Sequence, residues 1–590
     1  MTSYRYIALV ASSTEGRSAW ERASASAIGR LTGFEAHRFG TRTSVLCERD
    51  AAIAIGNEGV LVGLVFRRGR NEPMTAVDTE TQRSIVASHG EWLIRAHWGA
   101  YVAILDTDDT GRIDIIRAPL GDLPCYVLTN RSGVFVASDI DLLVTLAGYD
   151  PAIAWPMVAR HLTKPDLGGR TTCLAGIDEL AGGERMRLDS GAPTIETLWS
   201  PWTFAHPTRH LTDRSDAVMR VRGAVQTSVR ARASQHDSVL LKLSGGLDSS
   251  IVAACLAGAA RPTVALTLVT RDRSGDERDH ARSVARHLGI PLIEADRDPS
   301  LIDIGHSDAA GLPRPSVRSF AQASLRIATR VARDHGATAI FDGGGGDQMF
   351  CSLQSAAPVA DCLHPDGGGG PFWATARSVG IAAQTSTFEV ARRAFIRVWT
   401  RGPAFRWPLA SKFLSVQGKA DGLAGAEHPW LIAPEGALPG SAAHLALLAS
   451  VQSLVESSDP RSPIPTVSPL VTQPVAEACL RVPSWCWTRN GHNRVIARDA
   501  FRSTLPPAIV DRRDKGTPDG FVITLIETNR AQIRDLLIDG LLARHGLLDC
   551  AAIGLALSPA HIRKAKDNAA LMDLVDVEAW ARSWHGGGQA

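Results

Sequence analysis

The chain has 590 residues, with 63 Lys and Arg against 61 Asp and Glu and a net charge of +2 when histidine is neutral. That length excludes a single small binding module and leaves room for two to four domains of roughly 150 residues each, while the balanced charge excludes gripping a nucleic-acid backbone or an anionic membrane by bulk charge. Hydrophobic residues at 45% and charged residues at 21% describe a globular protein that buries a large core, not a disordered one.

The opening MTSYRYIALV has no basic run before an apolar stretch and no small-residue cleavage site, and no run of about 18 uninterrupted apolar residues occurs, so neither a secretory signal nor a membrane span is expected. Nine cysteines are scattered without a CxxC pair, which signals neither a zinc ribbon nor a disulfide framework. These points together predict a reduced, cytoplasmic enzyme. From residue 1 to about 205 the texture is short β-rich runs (YRYIALV, GVLVGLVF, AYVAILD, IDIIRA, CYVLT, GVFVASD) separated by Gly, Asp and Asn, which predicts an antiparallel β domain with some helix. The stretch LWSPWTFAHPTRHLT, with two prolines and no period, reads as a linker, so the boundary is placed near 205, giving units 1–205 and 206–590.

Beyond it the apolar runs VLLKL (239–243), TVALTLV (263–269) and TAIF (338–341) alternate with helical patterns such as DERDHARSVARHLG, where Ala281, Val284, Ala285 and Leu288 recur at helical spacing. Strand, helix, strand, helix predicts a parallel sheet covered on both faces. Residues 361–372, DCLHPDGGGGPF, read as a mobile loop, and 373–590 as mostly helical. Within that part, 388–399 is a basic helix with aromatics. Such a helix either packs by its apolar side or offers a docking face to a peptide or partner protein.

Two segments carry chemistry. Leu243-Ser244-Gly245-Gly246-Leu247-Asp248-Ser249-Ser250 lies between a buried-strand pattern and an apolar helix start. Small residues let backbone N–H groups approach phosphate oxygens, and the following helix aims its positive end at them, so this is a pyrophosphate cradle. It has an aspartate where a GxxxxGK[ST] loop has lysine, which suits Mg²⁺ held on the β- and γ-phosphates of ATP. The second segment, Asp342-Gly343-Gly344-Gly345-Gly346-Asp347-Gln348, follows TAIF. Loops at the carboxyl ends of neighbouring parallel strands converge on one crevice, so Asp347 is expected to meet the metal opposite Asp248.

These motifs resemble the synthetase domain of glutamine-dependent asparagine synthetases and their relatives, SGGLDSS most directly. The first unit resembles the family's glutaminase domain. Trp98-Gly99-Ala100-Tyr101 with Leu105-Asp106 is similar to "GxFAxxxWD", Arg117-Ala118-Pro119-Leu120-Gly121 with Leu123-Pro124-Cys125-Tyr126 to "RDxxGxxPLYY", and Phe135–Asp139 to "FASE". Leu505-Pro506-Pro507, Arg512-Arg513 and Lys515-Gly516 are similar to "LP…R…KxG". The fold so implied is an Ntn-hydrolase-type antiparallel β sandwich with helices, then a parallel-sheet pyrophosphatase-loop synthetase domain with a helical C-terminal part.

The departures choose among the relatives. A working glutaminase needs an N-terminal cysteine, and position 2 is Thr2, so glutamine-derived ammonia is not the expected nucleophile. Gly344 and Gln348 stand where asparagine synthetases carry two carboxylates, one of which faces the amino-acid substrate. β-Lactam synthetases use a tyrosine paired with glutamate, yet all five tyrosines precede residue 150. The run Ser468–Glu477, Leu480–Pro483 and Gly491-His492-Asn493-Arg494-Val495-Ile496-Ala497-Arg498 resembles "PLxxQPxxExxLxxP…GxxRxxxR" of the macrolactam synthetases that mature lasso peptides, as do Thr171–Leu174 and Glu179-Leu180.

That resemblance implies Mg-ATP on Leu243, Ser244, Gly245, Gly246, Asp248, Ser249 and Ser250, with adenine against the strand ending at Val269, Asp342 and Gly343 in the second loop, Mg²⁺ on Asp248 and Asp347, and Lys515 neutralising charge on the phosphate and oxyanion. It implies a precursor peptide whose Asp or Glu side chain is adenylated and then attacked by its own N-terminal amine, with a leader peptidase and a leader-binding partner in the same pathway, and no nucleic-acid or membrane partner. Asp276 and Glu277 are candidates, by position, for the base. An ammonia-dependent amidation of a small carboxylate and a non-catalytic ATP-binding scaffold remain as alternatives. A nucleic-acid modifier using a similar loop is disfavoured by the near-zero charge.

Overall fold

The computed structural model describes residues 4–585, apart from 30, 32, 108–110, 190–191, 260, 271–274, 366–368, 426, 514–518 and 559–564. Two six-stranded antiparallel sheets form the first unit. One runs, in spatial order, 177–179, 126–130, 133–137, 6–11, 43–48 and 34–39, and the other 194–197, 184–188, 112–117, 97–107, 59–67 and 52–54. The alternation of strand side chains explains why both faces of YIALVA are buried. Tyr6, Ala8 and Val10 meet Val60, Val62, Val102 and Ile104 inside the sandwich, whereas Ile7, Leu9 and Ala11 face outward into a core with the helical layer.

The same alternation joins the two units. Ala100, Val102 and Ile104 point into the sandwich, while Tyr101, Ala103 and Leu105 enter a core continuous with Val239, Leu241 and Phe341 of the second unit. The segment expected to be a linker is therefore an anchored part of that core. Trp199 and Trp202 are buried, and their indole N–H groups donate to Glu477 Oε1 (3.1 Å) and to the Trp430 carbonyl (2.9 Å). Burying two tryptophans outweighs the freedom that two prolines and a lack of period suggested. The C-terminal helix Ala565–His585 extends the first unit in turn, with Trp580 packed among Leu142, Ile304 and Leu537.

The second unit is a five-stranded parallel sheet in the order 292–296, 263–269, 239–242, 339–341 and 466–467. In chain order this is 3-2-1-4-5, a doubly wound arrangement whose direction of winding reverses between the first and fourth strands. Val239↔Ala339 and Leu241↔Phe341 set the register there, so the loops after Lys242 and after Phe341 leave the sheet side by side. The three apolar runs form the strands expected, and Arg278–Leu288 is the expected helix with Ala281, Val284 and Ala285 buried. The two-residue strand Thr466–Val467 was too short for any periodicity to reveal. Of the segment 361–372 expected to be mobile, residues 366–368 lie outside the described residues, and its first residue is fixed: Asp361 is buried and accepts hydrogen bonds from Gly440 N and Ser484 Oγ, each at 2.6 Å. Among the described residues no helix is long and apolar enough to cross a membrane.

A buried charge network pins the units together. Arg117 donates to Glu179 (2.8 Å) and to Glu456 (2.5 Å), and Arg314 pairs with the other oxygen of Glu179. Burial pushes the Glu179 carboxyl up, but Arg314 and Arg117 outweigh it and hold it below the usual range. Replacing Glu179 by Ala leaves buried Arg117 and half-buried Arg314 without their shared acid, a loss of about 3–5 kcal/mol. Glu179→Ala is expected to lower the urea midpoint or abolish soluble expression, whereas Glu91→Ala, which removes only a surface pair with Arg95, is expected to leave the midpoint nearly unchanged.

Candidate active site

The site lies where the sheet reverses. In the first loop Gly245 has φ of 71°, and an added Cβ would come within 2.6 Å of the Ala281 backbone nitrogen. Ser244 and Ser249 hydroxyls meet at 3.2 Å, and Ser250 Oγ donates to the Gly246 carbonyl at 2.7 Å. Gly246 opens the helix Leu247–Ala257, whose first turn no side chain caps. Its first N–H groups and the helix dipole favour an anion at that end.

The second loop packs directly on the first. A Cβ on Gly343 would stand 2.5 Å from Ser249 N, and one on Gly346 would stand 2.3 Å from Asp248 Cγ. Gly343 is required by close approach of two backbones and Gly346 by the Asp248 side chain lying against it, not by flexibility. Asp342 is anchored: Lys242 Nζ lies 3.1 Å away, and Ser468 Oγ and Gly344 N donate to it at 2.8 and 2.9 Å. Burial raises its carboxyl, but Lys242, Gly344 and Ser468 prevail and keep it below the ordinary range.

Asp248 and Asp347 come together on one cation. Arg494 Nη1 lies 3.0 and 2.8 Å from the two oxygens of Asp248 and 2.7 Å from Asp347 Oδ1. Arg494 itself has φ of 54°, a left-handed conformation costing a non-glycine residue about 1–2 kcal/mol. Its neighbours hold that turn: Asn493 Nδ2 donates to Ser352 Oγ at 3.0 Å, and Arg498 Nε donates to the Asn493 carbonyl at 2.8 Å. Burial and the nearby Arg494 charge push Arg498 down to about 10.

These groups line a cavity of about 610 Å³ together with Lys242, Ser244, Gly246, Ser249, Gly343, Gly344, Gln348, Arg512 and Arg513. Its lining holds five basic side chains (Lys242, Arg494, Arg498, Arg512, Arg513) against three aspartates (Asp248, Asp342, Asp347), which suits a polyanion. Two carboxylates converging on one point also fit a divalent cation that takes its remaining ligands from phosphate and water. No group of three or more His, Cys, Asp or Glu among the described residues forms a closed metal site.

Of the residues expected at the nucleotide, Ser244, Gly246, Asp248, Ser249, Asp342, Gly343 and Asp347 line the cavity, whereas Leu243, Gly245, Ser250 and Val269 lie outside its lining. Leu243 and Ser250 are buried, and Val269 pairs with Asp296. Lys515 lies outside the described residues. The candidate bases do not line the cavity, and arginines hold both. Asp276 is clasped by Arg278 at 2.6–3.0 Å, and Glu277 pairs with Arg512 at 2.8 Å. No tyrosine lines the cavity. Lys242, Ser352 and the cation bridge through Arg494 were not read from the sequence. Two arginines four apart in GHNRVIAR were the available signal, but nothing local assigns a guanidinium its distant acid.

An uncapped glycine-rich helix start, paired carboxylates on one cation and a basic rim, all at the reversal point of a parallel sheet, define an α/β protein built to hold a nucleotide polyphosphate. The asparagine synthase family model matches residues 220–394 and 463–582, together half of the chain, and the chain belongs to that family. It is 34% identical over 203 residues to the carboxyethyl-arginine beta-lactam-synthase of Streptomyces clavuligerus. That match takes in 33% of this chain and 36% of the relative, so the chain spans about a third of the length of the curated relative it matches. Two solved structures share 10% identity: an allosteric regulatory enzyme of purine biosynthesis (58% of this chain, 84% of that one, TM-score 0.20) and the glutamine phosphoribosylpyrophosphate amidotransferase of B. subtilis (57% and 90%, TM-score 0.22).

Because Arg494 and a divalent cation compete for the same oxygens, nucleotide-free Arg494→Ala is expected to bind Mn²⁺ about tenfold more tightly than wild type, a gain of about 1.4 kcal/mol. Asp248→Ala is expected to lose that binding. Electron paramagnetic resonance titration of free Mn²⁺ reads both, and equal affinity in wild type and Arg494→Ala would refute the competition.

Proposed function

We propose that this chain is an ATP-dependent C–N ligase that closes a precursor peptide into a macrolactam. A side-chain carboxylate of an internal Asp or Glu attacks the α-phosphorus of ATP, giving an acyl-adenylate and releasing pyrophosphate. The peptide's N-terminal amine then attacks the acyl carbon, AMP leaves, and the nitrogen gives up a proton. The observation that carries this reading is the convergence of Asp248 and Asp347, from two different loops, on one cationic nitrogen beside an uncapped helix start.

Mg²⁺ bound between those carboxylates would neutralise the β- and γ-phosphates and ease departure of pyrophosphate. The protein's own groups do the rest. Ser244, Gly246 and the first N–H groups of the 247–257 helix orient the polyphosphate, and Lys242, Arg512 and Arg513 offset its charge. Both reacting ends belong to one molecule, so holding them close supplies much of the gain. A peptide substrate is favoured over a small amino acid because Gly344 and Gln348 line the cavity where asparagine-forming relatives carry carboxylates. The absence of tyrosine from the lining removes a tyrosine–glutamate base. On this reading a peptidase that frees the amine and a protein that holds the leader act with the chain.

The test is mass spectrometry of a leaderless linear peptide from the same gene neighbourhood, incubated with the protein and Mg-ATP, with nucleotides separated from the same sample. Loss of one water with AMP formed in equal amount is expected, reduced at least about 10²-fold by Asp248→Ala and by Asp347→Ala. AMP formed only when aspartate and ammonia are supplied would overturn the peptide reading in favour of asparagine-type synthesis. No nucleotide turnover with the pathway's neighbouring proteins present would overturn the ligase reading itself.

A further inference from the structure

Ten of the sixteen large hydrophobic side chains exposed among the described residues lie between Trp373 and Ile432. Six of them ride on one helical hairpin, Phe372–Ala382 followed by Thr387–Thr400: Trp373, Ile381, Phe388, Phe395, Ile396 and Trp399. Trp399 is 82% exposed, Phe388 78% and Trp373 59%. The hairpin does not need these rings to fold, because its inner side packs Ala376, Val379, Val390 and Ala394 against Val359 and Ala360. The rings are nevertheless ordered among themselves. Phe388, Trp373, Phe372 and Phe395 form an edge-to-face chain with successive centroids 6.1, 5.0 and 5.7 Å apart. A patch of this kind on a soluble surface marks an interaction site.

Charge says what it meets. Residues 372–407 carry six arginines and one glutamate, a net +5 in a chain of net +2. Arg377, Arg401 and Arg406 are exposed and have no acidic partner among the described residues. The one acid shows how such a face grips a carboxylate: Arg392 holds Glu389 through two bonds of 2.8 and 2.9 Å. A second copy would set arginine against arginine. An anionic lipid surface would press against Glu389, which sits within the face. We propose that the hairpin is a docking face for a partner protein that presents carboxylates around an apolar patch.

The position of this face gives the docking a consequence. Ser378 Oγ accepts from Gly491 N at 3.1 Å and lies 3.0 Å from Thr488 Oγ1, and a Cβ on Gly491 would strike Ile381 at 2.3 Å. Gly491 stands three residues before Arg494, so a partner on the hairpin bears on the turn that aims Arg494 at Asp248 and Asp347. The family match stops at residue 394, within the second helix, so Phe395, Ile396 and Trp399 belong to a stretch the family does not describe.

The experiment uses the full chain and three probes: an amphipathic helical peptide of Glu with Leu and Phe, its twin with Lys for Glu, and vesicles of phosphatidylcholine with phosphatidylglycerol. The acidic peptide is expected to bind saturably, about tenfold more weakly to Phe388→Ser/Trp399→Ser and to Arg377→Glu/Arg401→Glu, and more weakly as salt rises. Both double variants change exposed side chains, so their Tm and their binding of a fluorescent ATP analogue are expected to match wild type. Equal binding of the two peptides, no saturable binding, or affinity unchanged in both variants would overturn the proposal. Vesicle binding lost in the same variants would overturn it in favour of a lipid surface.

Discussion

Two ionised carboxylates held at one point repel unless a cation sits between them, and the second unit is organised around that constraint. Asp248 and Asp347 are brought to one point by loops that leave adjacent parallel strands, and Arg494 supplies the charge that lets both remain there. The loops reach that distance only because Gly343 and Gly346 carry no side chain where Ser249 and Asp248 press against them. Strand order, loop composition and the strained turn at Arg494 are thus parts of one arrangement. Strain at a non-glycine residue persists where the surroundings overdetermine it, and here Asn493, Ser352 and Arg498 do so.

The first unit is bound into this arrangement, not appended to it. Tyr101, Ala103 and Leu105 on the outer face of its second sheet belong to the same core as the strands that launch the phosphate loops. The Arg117–Glu179–Arg314–Glu456 network then buries Arg117 and Glu179 at the junction with Arg314 and Glu456 half-buried beside them, which is tolerable only while the buried pair retains its counter-charges. A sandwich held this way is kept by its packing whether or not it performs chemistry of its own.

The cavity and the aromatic hairpin are two distinct surfaces of the second unit. The cavity is rich in fixed charges that suit a polyphosphate, and neither Asp276 nor Glu277 lines it, since arginines hold both. The aromatic hairpin is apolar with an arginine rim, and it meets the cavity wall through the turn at Gly491.

Much of this was legible in the chain itself, where the physical signal is local. Apolar runs of strand length, helical spacing from Ala281 to Leu288 and small residues between a strand and a helix announce a parallel sheet with a phosphate loop, because period and steric size act within a few residues. The acids at 248 and 347 were readable for the same reason. What the tertiary structure alone decided is non-local. Arg494 lies 246 residues from the aspartate it holds, Lys242 faces Asp342 across 100, and the tryptophans of the 198–212 stretch find their acceptors near 430 and 477. A guanidinium, an ammonium or an indole N–H carries no mark of its partner in the chain. Only the strand order and the packing of one sheet against the next bring the two together.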